Sequence, residues 1–240
     1  MSEGGDRDAL VARIASEIPR KTSGYVLVAV DGTDGSGKTT FAEKLAAELR
    51  HQRRETVMIP ADNFLNPSQV RYRRGRWSPE GFWLDSYDYP ALHRDVIIPL
   101  GLQGDGRYRT AAIDPYHDLP FTPAARQAVP GTVVIVEGLF LHRDSLTARW
   151  DYSIFLDVPF AVSVRRLADR DGTPADPEHP QMRRYVGGQR LYYRSCHPWL
   201  RATCVIDNAD PERPRHMTAE EADGPASAAR GTRHGHGLIC

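Results

Sequence analysis

Residues 25–49 read YVLVAVDGTDGSGKTTFAEKLAAEL, and the rest of the chain is organised around them. Tyr25 to Val30 is a short continuous apolar run, the pattern of a buried strand, and Phe41, Leu45 and Leu49 then recur at helical spacing. The turn between them fits G-x-x-x-x-G-K-[ST] through Gly32, Gly37, Lys38 and Thr39. Glycines at 32, 35 and 37 let the backbone curl so that several N–H groups point at one anion, and the following helix turns its positive end to the same spot. Gly32, Thr33, Asp34, Gly35, Ser36, Gly37, Lys38, Thr39 and Thr40 are therefore expected to hold a nucleoside triphosphate. Lys38 would reach the β- and γ-phosphates and the Thr39 hydroxyl would hold Mg2+. A glycine-rich turn that merely caps a helix, with Lys38 solvated, is disfavoured by the flanking strand and helix, which are the context this motif demands.

Composition limits the class. With 240 residues and 26.9 kDa the chain can bury one sizeable core, which suits a single α/β domain with extensions. Thirty-one basic and 31 acidic residues give a formal net charge of zero, so no whole-chain electrostatic case exists for nucleic acid or a membrane surface. Cys196, Cys204 and Cys240 lack paired spacing, so neither a disulfide framework nor a CxxC zinc site is indicated. The start, MSEGGDRD, is polar, and no apolar run approaches the roughly 18 residues of a membrane span. A cytoplasmic enzyme is expected.

Four further strand-like runs follow the central stretch: Thr56–Asp62, Thr132–Gly138, Tyr152–Val158 and Cys204–Asn208. Continuous apolar strands separated by helical stretches predict a parallel sheet with helices on both faces, of the phosphate-loop NTPase type. In such sheets ligands sit beyond the carboxyl ends of the strands, which puts Asp31, Asp62, Glu137 and Asp157 near the nucleotide. The expected organisation is an N-terminal helical extension over 1–22, a kinase-like domain over 23–210 and a structureless tail over 211–240. Asp6 would cap the first helix, which carries Leu10, Val11, Ile14 and Ile18. An insertion from about 63 to 130, rich in aromatic, Arg and Pro residues, is long enough to be functional, and acceptor binding is its natural use. Within it Tyr89–Leu100 has helical spacing and Arg107–Tyr116 reads as extended. In the tail, His234 and His236 are two potential metal ligands, which do not close a site, and the terminal Cys240 does not fit a prenylation box.

Asp62 ends its strand in PADNF, where a carboxylate could accept a proton from an attacking hydroxyl; a turn cap is the alternative. Glu137 ends VVIVEG, where a carboxylate would hold Mg2+ directly or through water; the alternative is a buried acid satisfied by backbone N–H groups. Arg165, Arg166 and Arg170 follow a strand and could clamp the phosphates, or could form a solvated face paired with Asp169 and Asp171.

The succession DGTDGSGKTTFA, PADNF, DSYDYPAL, VEGLFL, FLDVPFAVSVRRLADRD, RYVGGQRLYYRSCHP and VIDNAD resembles the uridine kinase branch of the phosphoribulokinase/uridine kinase family, over about residues 23–210. The resemblance implies ATP- and Mg2+-dependent transfer to the 5′-hydroxyl of a nucleoside, uridine or cytidine first, with Asp62 as the acid-base residue and Lys38 at the transferred group. It implies Asp88 as the ribose ligand, Tyr116 as the residue stacking on the base, and a mobile lid bearing Arg165, Arg166 and Arg170. It is compatible with a homo-oligomer. The departures fall where the acceptor is read. The family's pyrimidine-reading His falls near Phe121, with His117 directly after Tyr116 instead; its ribose-contacting Gln is matched by Arg184 or Gln189; and the lid arginines are spaced differently by one residue. Rival acceptors are another nucleoside, pantothenate, a sugar or a sugar phosphate; the RYRRGR run at Arg71–Arg76 would suit a phosphorylated one, though an exposed loop is the favoured reading of that run. A nucleotide-dependent regulator acting through the insertion is the rival of a different class.

Overall fold

A computed structural model describes residues 5–223. Helix α1 (Gly5–Glu17) leads into β1 (Val26–Gly32), α2 (Lys38–His51) and β2 (Thr56–Pro60). The insertion then carries α3 (Ser68–Arg71), α4 (Pro79–Asp85), α5 (Tyr89–Leu92) and four two-residue strands, β3 (Arg107–Tyr108), β4 (Ile113–Asp114), β5 (Leu119–Pro120) and β6 (Arg126–Gln127). The chain returns to the sheet as β7 (Val133–Gly138), α6 (Asp144–Thr147), β8 (Tyr152–Asp157), α7 (Phe160–Asp171), α8 (Arg183–Cys196), α9 (Pro198–Arg201) and β9 (Cys204–Asp207). It continues as β10 (Arg215–Met217) and α10 (Ala219–Asp223).

The main sheet has the order β10-β9-β8-β1-β7-β2, parallel except for β10. β1 is central because Val26–Val30 is apolar at every position and buried on both faces. Alternate residues feed two cores. Val26, Val28, Val30, Ile135, Ile154 and Leu156 pack with Ile14 and Ile18 of α1 and with Phe41, Leu45 and Leu49 of α2. Leu27, Ala29, Val134, Val136 and Phe155 pack against the other face, where the insertion, α7 and α8 lie. Full burial of a residue such as Leu45 contributes about 1.5–3 kcal/mol. Having β7 on one side of β1 and β8 on the other makes the end of β1 the topological switch point, the place where an open α/β sheet binds its ligand.

Two expectations need correction. The tail expected from 211 folds up to 223: β10 pairs antiparallel with β9, Met217 and Ala222 are buried, and Asp223 accepts a hydrogen bond from the Trp199 indole at 3.1 Å. One edge strand needs backbone partners more than apolar side chains, so composition did not signal it. His234, His236 and Cys240 lie outside the described residues. The helix read over 89–100 is split: α5 widens at His93–Ile97 into a turn of π-helix, with Val96 and Ile97 still buried. Among the described residues no helix is long and apolar enough to cross a membrane.

Candidate active site

The loop between β1 and α2 is built to stay open around an anion. Gly35 has φ +73°, and a Cβ there would sit 2.4 Å from the Ser163 carbonyl of α7, so only glycine fits. Three side chains from elsewhere hold the loop's backbone. Asn208 Nδ2 donates to Ser36 O (2.7 Å), an Arg166 N–H donates to Gly35 O (3.3 Å), and Gln189 Oε1 accepts from Asp34 N (2.8 Å). Lys38 folds back so that Nζ donates to Thr33 O at 2.7 Å. The hydroxyls of Thr33 and Ser36 are buried with no hydrogen-bond partner among the described residues. Buried orphan donors in such a loop fit a phosphate with unfilled lone pairs.

Beside the loop, the register β1–β7–β2 sets Glu137 between Val30 and Pro60. Thr39 Oγ1 donates to Glu137 Oε2 at 3.3 Å. Burial pushes the Glu137 carboxyl above the usual range, with Lys38 opposing and Asp62 reinforcing. Asp34 is pushed the same way by burial, again opposed by Lys38 and reinforced by Asp62. Lys38 and the carboxylates of Asp34, Asp62 and Glu137 thus share one electrostatic neighbourhood in which carboxylates outnumber the ammonium group. A hydroxyl and a carboxylate side by side fit Mg2+, which takes one or two protein oxygens and fills the rest with water and phosphate oxygens.

Asp62 lies in the 3-10 turn Ala61–Phe64 that follows β2. Tyr87 Oη donates to its Oδ1 at 2.7 Å. Burial, together with the Asp62 charge, holds the Tyr87 phenol well above its ordinary value, so it remains a donor. A cavity of about 200 Å3 opens here, lined by Asp34, Asp62, Tyr72, Tyr87, Arg184 and Tyr185 among others. Arg184, on the first turn of α8, is buried; its guanidinium donates to Ser78 O (3.2 Å) and Arg71 O (2.8 Å) and lies over the Tyr72 ring at 4.7 Å. One turn further along α8, Gln189 braces the phosphate loop, so a single helix touches both halves of the site.

Other expected site residues are elsewhere. Asp88 accepts from Ala91 N as the cap of α5 and lines a different cavity, of about 430 Å3, with Arg94, Asp95 and Arg109. Tyr116 is 94% exposed at the tip of the β4–β5 hairpin. Next to it His117 is hydrogen-bonded to Asp114 at 2.6 Å, which raises its ring above the ordinary value. Arg166 is committed to the carbonyls of Gly35, Asn208 and Ala209, bracing the phosphate loop rather than standing in a lid. Arg165 is exposed on α7. Arg170 pairs with Asp171 at 2.7 Å while still acting electrostatically on Asp34. Asp31, expected at the nucleotide, turns away. It accepts hydrogen bonds from the backbone N–H groups of Gly32, Leu141 and His142, from the His142 ring and from Tyr192 Oη. It is a buried hub under the sheet's edge, because five donors already fill its lone pairs.

No family model matches the chain. Over 160 residues, covering 62% of this chain and 69% of the other, it is 32% identical to a thymidylate kinase of Xylella fastidiosa. Over 151 residues, 61% of this chain and 68% of the other, it is 28% identical to a uridine kinase of Klebsiella pneumoniae. A candidate uridine kinase from Bacillus stearothermophilus superposes with a TM-score of 0.65 at 21% identity, covering 84% of this chain and 98% of that one. The chain belongs to the P-loop kinases. A candidate fructose transport system kinase from Silicibacter sp. TM1040 also superposes on this kinase, with a TM-score of 0.61, 28% identity, and 78% and 93% of the two chains covered.

The cavity also has wall residues that sequence reading passed over. Tyr87, Tyr72, Phe82 and Tyr185 line the cavity around Asp62. Arg71 and Tyr72 lay in the run marked as suiting a phosphorylated acceptor, which was the available signal. Nothing local marked Tyr87. Its place follows from an antiparallel bridge between Leu65 and Tyr87 that closes the insertion back onto the end of β2.

Proposed function

We propose that the kinase transfers the γ-phosphoryl group of ATP to a hydroxyl of a small acceptor bound in the cavity beside Asp62. The observation that carries this reading is that Asp62 and the loop residue Asp34 line one cavity while Lys38, Thr39 and Glu137 stand next to them. The loop N–H groups and Lys38 bind the triphosphate, Lys38 exchanging the Thr33 carbonyl for phosphate oxygens. Thr39 and Glu137 would hold Mg2+, which would supply neutralising charge to the transferring phosphates. Tyr87 holds the Asp62 carboxylate in one orientation, so that its other oxygen meets the acceptor hydroxyl. The acceptor oxygen bonds to the γ-phosphorus as the bond to the β,γ-bridging oxygen breaks, leaving its electron pair on ADP, and the hydroxyl proton passes to Asp62. Cavity closure keeps water from taking the acceptor's place.

Uridine or cytidine is the acceptor that the likeness to uridine kinases favours. A rebuilt acceptor pocket is a second reading, favoured by Asp88, Tyr116 and His117 lying off the cavity. The test is Mg-ATP turnover, followed as ADP release, for the whole chain and for Asp62→Ala. The expected loss is about 10²–10⁴-fold in kcat with ATP affinity retained. Full turnover in Asp62→Ala would remove Asp62 from the chemistry.

A further inference from the structure

The cavity beside Asp62 has two unlike walls. The loops after β1 and β2 contribute the carboxylates of Asp34 and Asp62, and α3 and α8 contribute the guanidinium groups of Arg71 and Arg184. A buried guanidinium is ordinarily paired with a carboxylate. Arg184 is 2% exposed, and its hydrogen bonds go to two neutral carbonyls, those of Ser78 and Arg71. Among the described residues no carboxylate oxygen forms an ion pair with it: Asp85 is taken by Arg73 and Arg74, and Asp118 by Arg71 and Ser68 N. Its ring neighbours Tyr72 and Phe82 pin its plane without neutralising it. Burial lowers the Arg184 guanidinium below its ordinary value, with Arg71 adding to that and Tyr72, Tyr185 and the more distant Asp85 opposing it.

Arg71 supplies an independent observation. Its outer nitrogen meets Asp118 at 2.9 Å, but its Nε–H is buried with no acceptor among the described residues. Such an orphan donor costs about 1–3 kcal/mol unless a ligand or water fills it. Two guanidinium groups in one wall, one without a counter-ion and one with an unfilled donor, make a pre-set receptor for an anion. The space is modest: about 200 Å3, below the ~300–1,000 Å3 of sites for drug-sized ligands.

We infer that the acceptor is a small hydroxyl compound bearing an anionic group, a carboxylate or a phosphate, which Arg184 and Arg71 hold while Asp62 faces the hydroxyl. The inference rests on the proposed phosphotransfer at this cavity. It makes Arg184 a specificity-determining residue, and the fixed fork of its guanidinium suits the two oxygens of a carboxylate or phosphate.

The experiment uses the whole chain with Mg-ATP and acceptors in matched pairs that differ by the anion: glycerate and glycerol, pantothenate and pantothenol, ribose 5-phosphate and ribose, thymidine monophosphate and thymidine, uridine monophosphate and uridine. The anionic member of at least one pair should show a kcat/KM at least tenfold above its neutral partner, and which pair does so separates carboxylate from phosphate. Arg184→Gln should raise the KM for that acceptor at least tenfold and erase the preference, with the KM for Mg-ATP unchanged. Arg184→Lys should keep part of the preference. Arg71→Gln, at a less buried position, repeats the test should Arg184→Gln fail to fold. Equal or better turnover of the neutral member in every active pair overturns the inference and leaves the kinase reading standing. So does a fall in kcat in Arg184→Gln that is the same for neutral and anionic acceptors, since Arg184 would then serve the transferring phosphoryl group. No acceptor-dependent ADP release from any pair removes the kinase reading and this inference together.

Discussion

The nucleotide half and the acceptor half of this site are assembled in opposite ways. The first is largely local: residues 32–40 form one turn and the start of one helix, and Glu137 is delivered by the neighbouring strand. The second gathers Asp62 and Tyr87, brought together by the antiparallel bridge between Leu65 and Tyr87, and Arg184 and Tyr185 from α8, about a hundred residues later. A local turn is fixed by its own glycines, whereas a pocket closed by long-range packing depends on helices that do no chemistry. The two halves should therefore fail separately. The largest effect belongs to Gly35→Val. The side chain would meet the Ser163 carbonyl at a backbone conformation that valine does not adopt, so Mg-ATP affinity should fall at least 100-fold by calorimetry. A variant that still bound Mg-ATP normally would show that the loop is not the nucleotide's cradle.

The converse break lies on α8. Gly188 packs so tightly on α4 that a Cβ would come within 2.8 Å of the Phe82 ring and 2.9 Å of the Pro79 carbonyl. Gly188→Ala must push α4 away, and α4 carries Phe82 into the cavity wall. The expected result is an acceptor KM raised about tenfold with the KM for Mg-ATP within about twofold, measured by steady-state kinetics. Equal loss on both substrates would mean that the halves are one mechanical unit, joined through the Gln189 bond to the phosphate loop. A smaller effect is expected from Tyr87→Phe, which removes one hydrogen bond to Asp62 without opening space. A loss of up to about tenfold in kcat corresponds to ~1.4 kcal/mol, close to the lower bound for a hydrogen bond to a charged group. An unchanged kcat would show that Asp62 is oriented by its backbone alone.

The same contrast explains what was legible in the sequence. The phosphate loop, the parallel sheet and the strand-end positions of Asp62 and Glu137 could be read because buried strands and glycine turns leave local patterns. The acceptor wall left only fragments, the Arg71–Arg76 run and the choice between Arg184 and Gln189. Resolving that choice needed the geometry: Gln189 points to the loop and Arg184 to the cavity, one turn apart on the same helix. Asp31 shows the limit of strand-end reasoning. Its alternation along β1 sends the side chain to the face where residues 141 and 142 and Tyr192 approach, and sequence does not reveal which neighbours will crowd that face. Asp88 and Tyr116 were matched by motif, and the insertion's own folding carried them to a helix cap and a hairpin tip.

The smallest predicted effect tests whether the nucleotide half holds strain when its ligand is absent. Asp34 is partly buried beside Asp62, and burial raises its carboxyl above the ordinary aspartate range. An acid whose folded pKa lies above its unfolded one binds more protons when folded, so stability falls as pH rises from about 4 through the folded value. The nucleotide-free protein at neutral pH then carries a charge that folding disfavours, and Asp34→Asn should remove it. The expected result is a Tm a few degrees higher at neutral pH without nucleotide, with the gain shrinking toward pH 4, where Asp34 is protonated. A variant equally stable at both pH values would mean that Lys38 and Arg170 already neutralise Asp34, and that the phosphate loop is relaxed before ATP arrives.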